Sequence, residues 1–288
     1  MRVPLEEVLF RSGPVGEPAP LLVEVPRSGI TYPRDFRPQA PFDAIHAAVS
    51  MHVDALFEGT PAAGGAFLVA RFPNTYVDAN RGLHDLDPEM IECGWPDAPP
   101  PTQKTRLGVG LVRRMAKPGV PMYDRRLTRD EVRHRLDAYH EPYHRELAGI
   151  LEAHRVRFGG AWHVSCHCMG ATGTDQTPDP GRARPDFCIG DLDGATSSPD
   201  FVELVVETLR GRGYRVTVND PYKGAECIRR HGAPARNVHS LQIETNKKLF
   251  MDEKTFLRTD GFTRVRADID HLLAGVARFA SRRAEASA

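Results

Sequence analysis

The sequence predicts an α/β fold: a mixed, largely parallel sheet with helices on both faces, in a single domain spanning 1–288 with its core over 20–275. Three observations predict it. Short apolar runs alternate with amphipathic segments of helical period, the order that gives parallel strands joined by helical crossovers. No Pro/Ser-rich linker divides the chain. Its 288 residues, 41% of them hydrophobic, suffice for a sizeable core.

Each element has its own signal. "APLLVEVP" is a short apolar run closed by Pro26 and reads as a buried strand. In "PFDAIHAAVSMHVDALFEGT", Ile45, Val49, Val53 and Leu56 recur at helical spacing, which predicts one amphipathic helix. "GGAFLVARF" and "TYVDANR" read as strands. Residues 82–105 are rich in Pro, Asp and Gly and read as a long irregular insertion positioned to cover a site. "LTRDEVRHRLDAYHEPYHRELAGILEAHRVRFG" is a long helix. Thr128 and Glu131 form a capping box at its start, and Pro142 should bend or break it. "AWHVSCHCM" is a strand. "DFVELVVETLRGRG" is a helix ended by Gly211 or Gly213. "YRVTVND" and "HSLQIETNKKLFM" are strands, and "VRADIDHLLAGVARFASRRA" is a last helix.

Composition narrows the function classes. Thirty-eight basic residues balance 38 acidic ones, without the basic excess of a nucleic-acid binder. No apolar run reaches the ~20 residues of a membrane helix, so neither nucleic acid nor membrane is an expected partner. "MRVPLEEVLF" has acidic residues where a signal peptide has its apolar core, which points to the cytoplasm. Five cysteines, an odd number in a long chain, fit reduced thiols better than a disulfide scaffold.

In parallel sheets, sites gather beyond the carboxyl ends of strands. Here those are the loops after Pro26, Asp78, Cys168 and Asn219. In "HVSCHCM", alternation puts His163, Ser165 and His167 on one face and Cys166 and Cys168 on the other. His163 and His167 would stand ~13 Å apart, too far to grip one ion. His167, near the strand end, is the candidate metal ligand; the alternative is a satisfied core histidine. A Cys168 nucleophile would need His167 beside it, and alternation points the two apart. Asn80 and Arg81 suit capture of a carboxylate, with Asp78 orienting Arg81; the alternative is an arginine closing a loop. Glu244, between Ile243 and Thr245, is a candidate general base or a solvent-facing strand residue. Lys223, Arg229 and Arg230 could bring positive charge to an anionic substrate.

The order "VPRSG", "VDANR", "YHEPYHREL", "HVSCHCM", "DFCIGD", "NDPYKGAECIRRHG", "HSLQIETNKKLFMDE" resembles the N-formylglutamate amidohydrolase family over about residues 20–275. The resemblance implies a zinc carboxypeptidase-like (phosphorylase/hydrolase-like) fold with a mixed eight-stranded sheet. It implies hydrolysis of the C–N bond of a small N-acylated amino acid, or recognition of another carboxylate. It further implies that His167 matches a zinc ligand, Glu244 the water-activating base, and Asn80 with Arg81 the substrate clamp, to which Lys223 and Arg229 add charge. Two positions depart from the pattern. Arg27 stands where the first metal histidine belongs, and Ser50 where the helix aspartate belongs. Arginine has no lone pair to offer a metal. His46 and Asp54, four residues either side of Ser50, are the helical neighbours that would have to help hold zinc. Arg27 is then expected in the pocket of His167, Arg81 and Glu244, paired with Glu244 first and Asp54 second, keeping Glu244 ionised and a weak base. The alternative reading is a metal-free member that binds an anionic small molecule without hydrolysing it.

Overall fold

The computed structural model describes residues 3–98 and 100–286. Its strands are β1 (Leu9–Ser12), β2 (Leu21–Val25), β3 (Ala66–Ala70), β4 (Met115–Lys117), β5 (Val120–Pro121), β6 (Ala161–Met169), β7 (Phe187–Gly190), β8 (Val216–Val218) and β9 (Val238–Asn246). Strands β4 and β5 form a small ribbon. The others make a seven-stranded sheet in the order β1-β3-β2-β6-β9-β7-β8. The pairs β2–β3, β2–β6, β6–β9 and β7–β8 are parallel, while β1–β3 and β7–β9 are antiparallel. The mixed, largely parallel α/β architecture is therefore as the sequence predicts, with seven strands in the main sheet among the described residues rather than eight.

Each face of the sheet carries a core. On one side Leu21, Val23, Val164, Cys166, Leu241 and Ile243 pack beneath the helices Pro199–Gly211 and Gly261–Glu285. On the other, Leu22, Leu68 and Phe72 meet Tyr143, Leu147 and Leu151 of the helix Glu141–Phe158. The second face also carries a polar file. Glu24 lies beside Ser165, and the parallel register of β6 and β9 sets His163 beside Ser240, Ser165 beside Gln242, and His167 beside Glu244. Alternation puts all of these side chains on the face of the Glu141–Phe158 helix. The file runs up the two central strands to their carboxyl ends, where a site in such a sheet belongs.

Three local expectations need correction, and one strand was not anticipated. The segment 41–60 is two short helices, Phe42–His46 and Val53–Phe57, separated by a turn in which His52 adopts φ +66°. His46, Ser50 and Asp54 therefore do not share one helical face. "TYVDANR" is a buried turn, not a strand: Asp78 N–H donates to Leu111, and Arg81 N–H returns to the Asp78 carbonyl. "DFCIGD" contains β7, a strand too short and glycine-bounded for its pattern to stand out. Pro142 does not break the long helix. The chain passes from Arg129–Arg135 through one π-helical turn, Leu136–His140, into Glu141–Phe158. The wider turn takes up the missing amide and the ring of Pro142.

The capping box at the start of that helix is present, Thr128 accepting from Glu131 N–H and Glu131 from Thr128 N–H. Replacing Thr128 with Ala should cost about 1 kcal/mol and lower Tm by about 2 °C. Differential scanning calorimetry of the variant checks this, and an unchanged Tm would show that the cap carries no stability.

Candidate active site

A cleft of about 390 Å³ opens at the carboxyl ends of β2, β6 and β9. Arg27 enters from the loop after β2, Asn80 and Arg81 from the buried turn, Cys168 and Met169 from the end of β6, Tyr222 from the loop after β8, and Gln242 and Glu244 from β9. The loops after Pro26, Asp78, Cys168 and Asn219 thus converge.

Arg27 is anchored by Asp78, not by Glu244 or Asp54. Its Nε donates to Asp78 Oδ1 at 2.9 Å and its Nη2 to Oδ2 at 2.5 Å. Burial alone would raise the Asp78 carboxyl; the Arg27 guanidinium, helped by Arg81, outweighs it and holds the group down at about 2. The planar fork of an arginine matches a carboxylate in this two-bonded way. Among the described residues, Nη1 of Arg27 has no bond of its own and is free for a ligand. The Arg27 carbonyl accepts from Ser50 N–H, so the two positions that depart from the family pattern do lie together.

With Asp78 committed to Arg27, Arg81 is oriented by backbone. Its Nε donates to the Val109 carbonyl and its Nη1 to the Asn80 carbonyl, which leaves Nη2 available. Two histidines pin the same turn, His140 at the end of the π-helical turn and His144 in the helix Glu141–Phe158. His140 Nε2 donates to the Arg81 carbonyl and His144 Nε2 to the Ala79 carbonyl, each at 2.8 Å. His231 stacks on His144 and bonds its Nδ1 at 2.9 Å. Burial keeps His144 neutral, with its pKa pushed well below the usual histidine value, and takes His231 down to about 3.

Asn80 is a keystone rather than a free clamp. Its Oδ1 accepts from Cys227 N–H, which orients the amide, and its Nδ2 donates to both His167 Nε2 and Gln242 Oε1. Both of its amide N–H donors are thus committed, and none is left for a substrate carboxylate. Gln242 passes the order on, donating to Glu244 Oε1 at 2.9 Å. Glu244 is 7% exposed, not solvent-facing. Burial pushes its carboxyl up to about 7 against the pull of Arg27, Arg184 and Arg81. It is therefore not held ionised as the sequence suggested, and near neutral pH it is a competent proton acceptor.

The other expected residues lie elsewhere. Lys223 pairs with Asp193 on the surface, and the exposed Arg229 pairs with the buried Glu226. Arg230 pairs with Glu141. None of the three lines the cleft, because the loop after β8 turns Tyr222, Gly224 and Ala225 inward. His46 bonds Tyr32 and stacks on Phe42. Asp54 lines a separate hollow with Glu58 and Arg266. All five cysteines are free, and burial raises the thiols of Cys166 and Cys168, which makes them poor nucleophiles.

The sequence profile of the N-formylglutamate amidohydrolase family matches residues 19–251. The chain belongs to that family. The N-formylglutamate deformylase of Pseudomonas aeruginosa is 26% identical over 282 residues, which cover 93% of this chain and 96% of that protein. The enzyme of the same name from Pseudomonas putida is 24% identical over 81% of this chain and 82% of its own length. Among solved structures, N-formylglutamate amidohydrolase from Ralstonia eutropha JMP134 superposes with a TM-score of 0.92 at 39% identity, covering 96% of this chain and 99% of that one.

The residues present do not fit the zinc that the resemblance to this family implies. Among the described residues, no three His, Cys, Asp or Glu side chains stand together as a metal-binding group. A catalytic zinc normally takes three protein ligands. The first position holds Arg27, already bound to Asp78. His167 is 1% exposed, with Nε2 occupied by Asn80 and Ser165. Burial, then the charge of Arg27, takes its pKa down to about 3, so it is a neutral acceptor inside the network. His46 and Asp54 are not beside it.

Sequence reasoning missed the cations of the far wall, Lys104, Arg113 and Lys117, and also Arg184 and Lys247. It also gave no role to His140 and His144, although their i,i+4 spacing in "YHEPYHREL" was a usable signal. Asp78→Ala should destabilise the fold by about 3–5 kcal/mol, because it leaves a buried guanidinium without its anion. Adding Arg27→Met should recover most of that loss in urea denaturation. If Asp78→Ala costs less than about 1 kcal/mol, the ion pair does not hold the site.

Proposed function

We propose that this protein hydrolyses the amide of a small N-acylated amino acid, N-formylglutamate being the first substrate to try, without a bound metal. One arrangement carries the reading: the Glu244 carboxyl and the guanidinium groups of Arg27 and Arg81 line a single cleft at the strand ends. That unites a proton acceptor, a fixed positive charge for a developing oxyanion, and a donor for the substrate carboxylate. Family membership supports the reaction class.

Arg81 Nη2 holds the substrate carboxylate, and Arg27 Nη1 receives the oxygen of the acyl group. Glu244 takes a proton from water as the water oxygen bonds to the acyl carbon. The carbonyl electron pair moves onto the oxygen facing Arg27. It then returns as the C–N bond breaks, and the proton on Glu244 passes to the departing amine. Formate and the free amino acid leave. Asn80, Gln242 and His167 stay out of the chemistry and fix the positions of Glu244 and the turn. We also read the chain as one domain, since both core layers share one sheet.

The test is formate release from N-formylglutamate by the purified protein. Glu244→Gln keeps the shape and the bond to Gln242 but cannot accept a proton, and should cut kcat by about 10²–10⁴-fold. Glu244 is active as the carboxylate, so kcat/KM should rise with pH through about 7. No release from any N-acyl amino acid would defeat the proposal. A Glu244→Gln variant of full activity would defeat the assignment of the base.

A further inference from the structure

The mechanism above uses the strand ends and leaves the opposite wall of the cleft without a role. That wall comes from the excursion between the buried turn and the β4–β5 ribbon, and it presents Lys104, Arg113 and Lys117. Arg113 is only 8% exposed, yet its guanidinium makes no hydrogen bond or ion pair among the described residues, and its Nε is buried without a partner. Lys104 is half-buried and its ammonium group is likewise unpartnered. Other buried arginines are at least partly bonded, although Arg135 Nε is also without a partner among the described residues. Arg184 makes two bonds to Asp179, and Arg135 donates to Tyr123 and to the Tyr76 carbonyl.

A buried cation without a bonded anion costs free energy, and the nearby Asp78 carboxylate offsets that cost only in part. Burial pushes the pKa of Arg113 down to about 10 and that of Lys104 to about 8, and the like charges of Arg27 and Arg81 push both the same way. A ligand anion would reverse both effects. Of the carboxyl groups lining the cleft, Glu244 is the proposed base and Glu253 accepts from Ala171 N–H, and neither bonds Arg113 or Lys104 among the described residues.

We propose that Arg113 and Lys104 form a second anion subsite, which takes the distal carboxylate of the substrate while Arg81 holds the carboxylate beside the scissile amide. The proposal rests on the hydrolytic reading above and deepens it. The wall selects acylated amino acids with an acidic side chain over those with a neutral one, and it assigns that selection to Arg113 first. Lys104 acts as a point charge, whereas Arg113 supplies a planar donor fork.

The test separates the subsite from the reaction. Calorimetry with glutarate, which carries two carboxylates, and butyrate, which carries one, reads binding without turnover. Arg113→Met should weaken glutarate binding about 10–100-fold, the size of a lost charge-assisted bond, and change butyrate binding much less. In steady state, the ratio of kcat/KM for N-formylglutamate over N-formylglutamine should fall by a similar factor, mostly through KM. Lys104→Met should move both quantities the same way by a smaller factor. Removing an unpartnered buried cation should leave the thermal stability of the free protein equal or higher, which guards against a folding artefact. Equal losses for glutarate and butyrate would mark Arg113 as structural and overturn the proposal. Loss of inorganic phosphate binding in Arg113→Met, with glutarate unaffected, would assign the wall to phosphate and overturn it too. If no acyl amino acid is hydrolysed, the functional reading fails while the glutarate comparison still decides the subsite.

Discussion

The site depends on the buried ion pair between Arg27 and Asp78. A guanidinium at the base of a half-closed cleft needs a fixed anion, and Asp78 supplies both oxygens. Asp78 sits on a turn rather than a strand, so the turn itself must be held. Asp78 Oδ1 also accepts from Asn80 N–H, and the backbone of 78–81 is tied to Leu111, His140 and His144. From Asn80 the order runs through Gln242 to Glu244 and through His167 and Ser165 to the fully buried Glu24, which Tyr143 and Ser165 both bond. Arginine at position 27 therefore sets a chain of geometry that reaches the proposed base. A network of this kind rigidifies a site as far as its members are satisfied; His167 Nδ1 is buried without a partner among the described residues.

The same arginine explains why the cleft differs from the zinc site implied by the resemblance. A fixed cation with a hydrogen-bond fork can bind a carboxylate or steady an oxyanion, as a metal can, but it binds no water to acidify. Proton abstraction then falls to a carboxyl of high basicity. Glu244 has it because burial outweighs its neighbouring cations. Arg27 is held too firmly by Asp78 to neutralise Glu244 as well, and this is why the expected Arg27–Glu244 pair does not form.

How much was legible in the sequence follows the same physics. The alternating strands and helices, the capping box and the facing of His163, Ser165 and His167 were readable because period and caps are local signals. The break at His52 and the turn at "TYVDANR" were not, because tertiary bonds to Arg27, Leu111, His140 and His144 decide them. Arg27, Arg81 and Glu244 were placed in one cleft from order alone, but their partners were not, since Asp78 faces Arg27 only after the turn folds. Lys223 and Arg229 looked equivalent to the inward cations in sequence, yet each pairs with a nearby acid and does not line the cleft. The cations of the far wall lay hidden in a chain whose net charge is zero, because composition averages over a surface that folding makes uneven.

In the proposed reaction a guanidinium supports hydrolysis in place of a metal. The most direct measurement is formate release from N-formylglutamate by protein stripped with a chelator, with metal content determined on the same sample. The account predicts unchanged turnover at well under one metal ion per chain, and no gain when zinc is added. Turnover that vanishes on stripping and returns in proportion to added zinc would contradict it.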